Sequence, residues 1–245
     1  MLETRNQWTT VEVGGGAMAG YVARPNDDIS YPGVLLFMEI FGVNSHMRAV
    51  ADRVAAEGYV VMAPDLFHRT APGVELGYDE SGLARGIELV GQVSAPELRA
   101  DVCAAFASLG ARADTTEKVG AMGFCFGGHA AYFAACELPI DATVSFYGGG
   151  IAAGPMAGAE RATVDLTPSI RGSILCLFGA QDGYIPPQQV EAIRGAFQAN
   201  GTRGEVQVYD GVGHGFFCDV RDGFDRNAAD DSWARLTALF ELELH

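Results

Sequence analysis

Short β-like runs alternate with segments of helical spacing along the chain, and that alternation predicts an α/β domain built on a mainly parallel sheet. Val11–Val13 and Met18–Ala23 predict an opening pair of strands joined through Gly14-Gly15-Gly16. Gly33–Met38 is an unbroken apolar run, as expected of a central strand covered on both faces. Asn44 or Ser45 caps a helix running to Glu57, because Met47, Val50, Ala51 and Val54 recur at three- and four-residue steps and Gly58 supplies a left-handed stop. Tyr59–Met62 predicts the next strand, and Asp79–Val93 is weakly helical. Ser94 and Glu97 form a capping-box pattern ahead of a better helix over Ala95–Leu109.

Lys118–Met122 predicts a strand, and Gly127–Cys136 a helix of small and apolar residues. Ala142–Tyr147, Ser173–Phe178 and Glu205–Tyr209 complete the sheet. Helices are expected from Pro187 to about Asn200-Gly201 and over Ala228–Glu243. Ala152–Pro168, rich in Ala and Gly without a clear period, is expected as a surface excursion and not a domain linker. No repeat or low-complexity tract interrupts the pattern, so a single domain over residues 1–245 is expected.

Composition narrows the function. Sixteen Lys+Arg stand against 31 Asp+Glu, a formal charge of −15. That balance argues against sequence-independent nucleic-acid binding and against docking on an anionic membrane. An anionic substrate would need local arginines to overcome the field. The five cysteines, Cys103, Cys125, Cys136, Cys176 and Cys218, are odd in number and irregular in spacing, so neither a disulfide framework nor a zinc-finger pattern is read. Met1–Thr10 lacks an apolar h-region, and a cytoplasmic location is the default expectation.

The chemistry is concentrated in Gly123-Phe124-Cys125-Phe126-Gly127-Gly128. This is G-x-C-x-G between a strand and a helix, the nucleophile elbow with cysteine in place of the commoner serine. Gly123 and Gly127 remove Cβ atoms that would collide across the turn, and the helix N-terminus favours a thiolate at Cys125. The Phe126 amide would face a developing oxyanion. The bland alternative is a small buried core cysteine in a tight turn.

A cysteine nucleophile calls for an imidazole and an orienting acid, and in this fold the chain order is nucleophile, acid, histidine. His129 lies inside the helix that starts at the elbow, whereas His214 sits between Gly213 and Gly215 after the last strand. Asp182, after Ser173–Phe178, is the candidate acid; it competes with Asp210 and with a simple turn role of its own. Glu39 ends an apolar strand and must be paired, protonated or wetted. Two readings stand for it: a store for the thiol proton, or a structural ion pair with an arginine. The Ile40 amide is a candidate second oxyanion donor.

Met38-Glu39-Ile40-Phe41-Gly42-Val43-Asn44, Ala63-Pro64-Asp65-Leu66-Phe67, the elbow, Gly179-Ala180-Gln181-Asp182 and Gly213-His214-Gly215-Phe216 together resemble the dienelactone hydrolase (carboxymethylenebutenolidase) family of the α/β-hydrolase superfamily. The matching segments occur in order across nearly the whole chain. The resemblance implies an eight-stranded, mostly parallel sheet flanked by helices, with no metal or cofactor. It implies a Cys125–Asp182–His214 triad, with Glu39 holding the thiol proton at rest and the Ile40 and Phe126 amides forming the oxyanion hole. The partner implied is a small ester or lactone, and a monomer or small homo-oligomer is expected.

One departure bears on substrate. Cys218 stands where family members that open dienelactones carry a carboxylate-binding arginine four residues after the histidine. Arg69 and Arg85 are candidate substrate cations, and Phe216 and Cys218 candidate wall residues for a less anionic acyl group. Three rival readings stay open: a general carboxylesterase or thioesterase, a non-catalytic binding protein that keeps the pocket, and a metal site from Cys125, His214 and Cys218.

Overall fold

A computed structural model describes all 245 residues. Eight strands form one sheet in the order β1-β2-β4-β3-β5-β6-β7-β8, where β1 is Thr4–Val13, β2 Gly16–Pro25, β3 Tyr31–Phe37, β4 Val60–Pro64, β5 Thr115–Phe124, β6 Ala142–Phe146, β7 Ser173–Gly179 and β8 Gly204–Tyr209. The β1–β2 and β2–β4 pairs are antiparallel and all others parallel. Helices α1 (Ser45–Ala56), α2 (Glu80–Val90), α3 (Ala95–Gly110), α4 (Phe126–Glu137), α5 (Pro187–Asn200) and α6 (Arg226–Leu244) flank it. Every core element expected from the sequence is present.

The local causes are visible. Val34 to Met38 have no solvent exposure, so β3 lies between layers with both faces buried. The Asn44 side chain accepts from the Met47 amide and starts α1. Ser94 and Glu97 form the reciprocal capping box of α3. β1 and β2 each extend beyond the sequence expectation, since Thr4–Thr10 pair across to β2 as an edge whose polar side chains carry no alternation of burial. The expected excursion between β6 and β7 holds a 3-10 helix, Thr163–Ser169, and an isolated Pro155–Ala162 bridge.

The parallel strands β3, β5, β6, β7 and β8 all point their carboxyl ends to one edge. Residues that leave those ends, Glu39, Cys125, Tyr147, Asp182 and His214, are thereby brought together from across the chain. No helix is long and apolar enough to cross a membrane.

Candidate active site

Cys125 occupies the bend between β5 and α4 with φ +56° and ψ −117°, a region that L residues rarely adopt. Its amide donates to the Phe146 carbonyl at 3.0 Å, and its carbonyl accepts from the His129 amide at 3.2 Å, so the bend is held from both sides. The flanking glycines are sterically required. A Cβ at Gly123 would run into the Gly127 carbonyl, and one at Gly127 into the Phe37 carbonyl of β3. Cys125 is partly exposed, and it opens on a cleft of about 430 Å³ that Ile40 and Phe126 also line.

The Ile40 amide donates to no backbone or side-chain acceptor within the protein. Phe126 is the first residue of α4, so its amide has no acceptor in the preceding turn of that helix. Two residues that line the cleft with Cys125 thus have amides without an acceptor in the protein, the donor type that an oxyanion site uses.

His214 lies in the turn after β8, and Asp182 in the turn after β7. The His214 Nδ1–H donates to Asp182 Oδ2 at 2.7 Å. Asp182 Oδ1 accepts from the Tyr184 and Ile185 amides at 2.8 and 3.2 Å. The two oxygens of this aspartate thus have separate partners: one accepts from its own turn, and the other from the imidazole. Tyr147 and Tyr184 pack edge-on against the ring at 5.0 and 5.2 Å between centroids.

Burial works to lower the imidazole pKa, but the hydrogen bond to Asp182, together with the influence of Cys125, outweighs it and raises the pKa to about 10. The imidazolium is the favoured form at neutral pH. Asp210, the competing acid, lies exposed. His129 is clipped into the core: its Nδ1–H donates to the Gly149 carbonyl at 3.0 Å, which leaves Nε2 to accept from Thr163 Oγ1 at 2.7 Å. Burial pushes its pKa down to about 4, so it carries no charge.

Glu39 has no solvent exposure. Its Oε1 accepts from Arg221 Nη1 at 3.1 Å, and Oε2 has no hydrogen-bond partner. The arginine reading of this carboxylate is therefore realised in the structure, through a residue that sequence inspection missed. Arg221 lies over the faces of Phe41 (5.4 Å) and Tyr78 (5.7 Å) and presses on Gly215, where a Cβ would stand 2.6 Å from Nη1. Tyr147, with φ +37° and a buried, unpartnered hydroxyl, is a second residue the sequence did not signal.

The four substrate-contact candidates fall elsewhere, and none lines the cleft. Arg69 Nη1 donates at 2.6 Å to Asp101, a fully buried carboxylate that also meets His68 Nε2 at 3.1 Å, so this arginine neutralises an interior charge. Arg85 pairs with Glu88 on the exposed surface of α2. Phe216 is fully buried between Tyr147 and Tyr209. Cys218 is fully buried beside Tyr78, where burial raises its thiol to about 11. No three His, Cys, Asp or Glu side chains converge as metal ligands would.

A parallel sheet with a strained residue between strand and helix, and an Asp–His pair on later loops of the same edge, defines an α/β-hydrolase fold. The chain belongs to the dienelactone hydrolase family, whose model matches residues 18–244. A Synechocystis sp. protein provisionally named a carboxymethylenebutenolidase is 40% identical over 228 residues, covering 93% of this chain and 92% of its own. The carboxymethylenebutenolidase of Rhodococcus opacus is 29% identical over 229 residues, covering 90% of this chain and 85% of its own. Among solved structures, a provisionally assigned dienelactone hydrolase of Klebsiella pneumoniae superposes with a TM-score of 0.87 at 31% identity, covering 98% of this chain and 99% of the other. A dienelactone hydrolase-like promiscuous phosphotriesterase from metagenomic libraries superposes with a TM-score of 0.82 at 26% identity, with 99% of each chain covered. The protein is a hydrolase of this family.

Proposed function

We propose that the protein hydrolyses carboxylic esters or lactones through a Cys125–His214–Asp182 triad and an acyl-thioester on Cys125. The observation that carries this reading is the His214 ring, bonded through Nδ1 to Asp182 at 2.7 Å, on the same sheet edge as a strained elbow cysteine that opens on the cleft. The thiolate attacks the carbonyl carbon, and the displaced electron pair comes to rest on an oxygen facing the Ile40 and Phe126 amides. Loss of one such donor typically costs roughly 3–4 kcal/mol of barrier. Collapse breaks the C–O bond, and the leaving oxygen takes the Nε2 proton of His214. His214 then draws a proton from water, whose attack on the thioester releases the acid and regenerates the thiolate.

At rest the thiol hydrogen is assigned to a hydrogen bond toward Glu39 Oε2, the oxygen left free while Arg221 holds Oε1, so the carboxylate keeps its charge until substrate draws the thiolate away. Thiolate is a better leaving group than an alkyl alkoxide, so enol and aryl esters are turned over faster than simple alkyl esters. The test is a single-turnover experiment with p-nitrophenyl acetate, followed by mass spectrometry of the quenched protein. The expected result is an acetyl group on the Cys125 peptide, and loss of both burst and turnover in Cys125→Ala. Turnover retained in Cys125→Ala, or acetyl found on another residue, would overturn the proposal.

A further inference from the structure

We propose that the cleft beside Cys125 is the acyl subsite, that it is built for a neutral, apolar acyl group, and that the leaving group departs on the opposite side, past His214 and Tyr184. This deepens the hydrolase reading above and rests on it.

The orientation follows from which residues the cleft touches. It reaches the nucleophile and both oxyanion donors, Cys125, Ile40 and Phe126, but not His214, Asp182 or Tyr184. The leaving oxygen must lie beside the imidazole to receive its proton. Whatever fills the cleft is therefore the part of the substrate that stays on sulfur. On the other side, Tyr184 is 63% exposed with its ring 5.2 Å from that of His214, so the departing group meets an aromatic edge and open solvent.

The chemistry of the acyl group follows from the walls. Val90 and Val93 face the cleft from the end of α2 and its following turn, and Ala153, Pro155 and Met156 from the excursion between β6 and β7. No lysine or arginine lines it. Apart from Cys125, the one titratable wall residue is His129, whose two ring nitrogens are both taken up by Gly149 and Thr163. Arg69 and Arg85, the cations expected from the sequence, are committed elsewhere, to Asp101 and to Glu88, and Arg221 is committed to Glu39. A carboxylate carried into this cleft would lose water without gaining a partner, against the field of a chain with formal charge −15. A volume of about 430 Å³ lies in the range of small-molecule sites.

The test compares kcat/KM for p-nitrophenyl hexanoate with that for the p-nitrophenyl hemiester of glutaric acid, which ends a similar chain in a carboxylate. The neutral ester is expected to be favoured by about 100-fold or more, the cost of an unpaired carboxylate in an apolar site. Met156→Arg and Val93→Arg are each expected to shrink that ratio by about tenfold, by raising the hemiester rate through a new ion pair. A wild-type ratio within about threefold of unity, a difference too small for an unpaired buried charge, overturns the proposal. A ratio unmoved in both arginine variants, with the neutral ester still hydrolysed, also overturns it. Cys125→Ala keeps the two levels apart. If that variant still hydrolyses the hexanoate, the cysteine mechanism itself fails. If it is inert while wild type hydrolyses both esters equally, only the acyl-subsite assignment fails.

Discussion

Replacing Arg221 with methionine would leave the Glu39 carboxylate in the interior with no cation. The Glu39 side chain is 1% exposed and that of Arg221 is 18% exposed, so the pair is well withdrawn from water. Removing one partner of a buried pair costs roughly 3–5 kcal/mol. The partial exposure of the guanidinium lets water reach the vacated space, which places the loss near the lower end, about 3 kcal/mol. Giving up the stacking over Phe41 and Tyr78 adds roughly 0.5–1 kcal/mol. For a chain of this length each kcal/mol lowers Tm by about 2–4 °C, so a fall of about 7–16 °C is expected. Glu39→Gln leaves a guanidinium that can still reach water, and is expected to cost less, about 1 kcal/mol. The double variant should be more stable than the sum of the two losses predicts, by about 2 kcal/mol, because its glutamine faces no missing charge. Reversible urea unfolding of all four proteins measures this coupling. Losses that add to within about 0.5 kcal/mol would refute the pair as a source of stability.

Two further predictions concern the proposed triad and the elbow. Asp182→Asn removes the strongest influence raising the His214 pKa, so the alkaline limb of the kcat/KM profile should move down from near pH 10; an unmoved limb refutes the assignment. In wild type this imidazolium contributes its full stabilisation below the ordinary pKa of about 6.5, and the contribution fades as pH climbs through about 10. Gly127→Ala would drive a methyl into the Phe37 and Met38 carbonyls, which are backbone and cannot swing away. A loss of roughly 3 kcal/mol or more, with activity abolished, is expected; wild-type Tm and activity would refute the packing argument.

The parts of the structure legible in the sequence are those whose causes are local. The Asn44 cap and the Ser94–Glu97 box act within three residues, and both helices begin where the sequence places them. β3 is readable because burial on both faces demands an unbroken apolar run. The first half of β1 is not, because an edge strand gains its order from pairing with β2 and leaves no pattern in its side chains. At the site, the elbow spacing and the order of acid and histidine guided the choice of Cys125, Asp182 and His214, and the fold brings these three together. Arg221 escaped because its carboxylate lies 182 residues earlier in the chain. The Arg69–Asp101 pair is hidden for the same reason: Asp101 sits 32 residues away on another element, and no local spacing links the two. Cys218, chosen from its place after the histidine, is turned into the interior beside Tyr78.

The excursion between β6 and β7 supplies one wall of the cleft, yet it leaves and rejoins the sheet at neighbouring parallel strands. Its register with the sheet is set at its two ends, and the residues between carry none of the ladder. Thr163 and Thr167 moor it to His129 and Tyr132 of α4, the helix that follows Cys125, whereas Ala153 and Pro155 on the cleft wall are exposed and bear no such ties. If the cleft is the acyl subsite proposed above, substitutions at those two positions change which compounds are accepted, while changes at the two moored threonines disturb the helix behind the elbow.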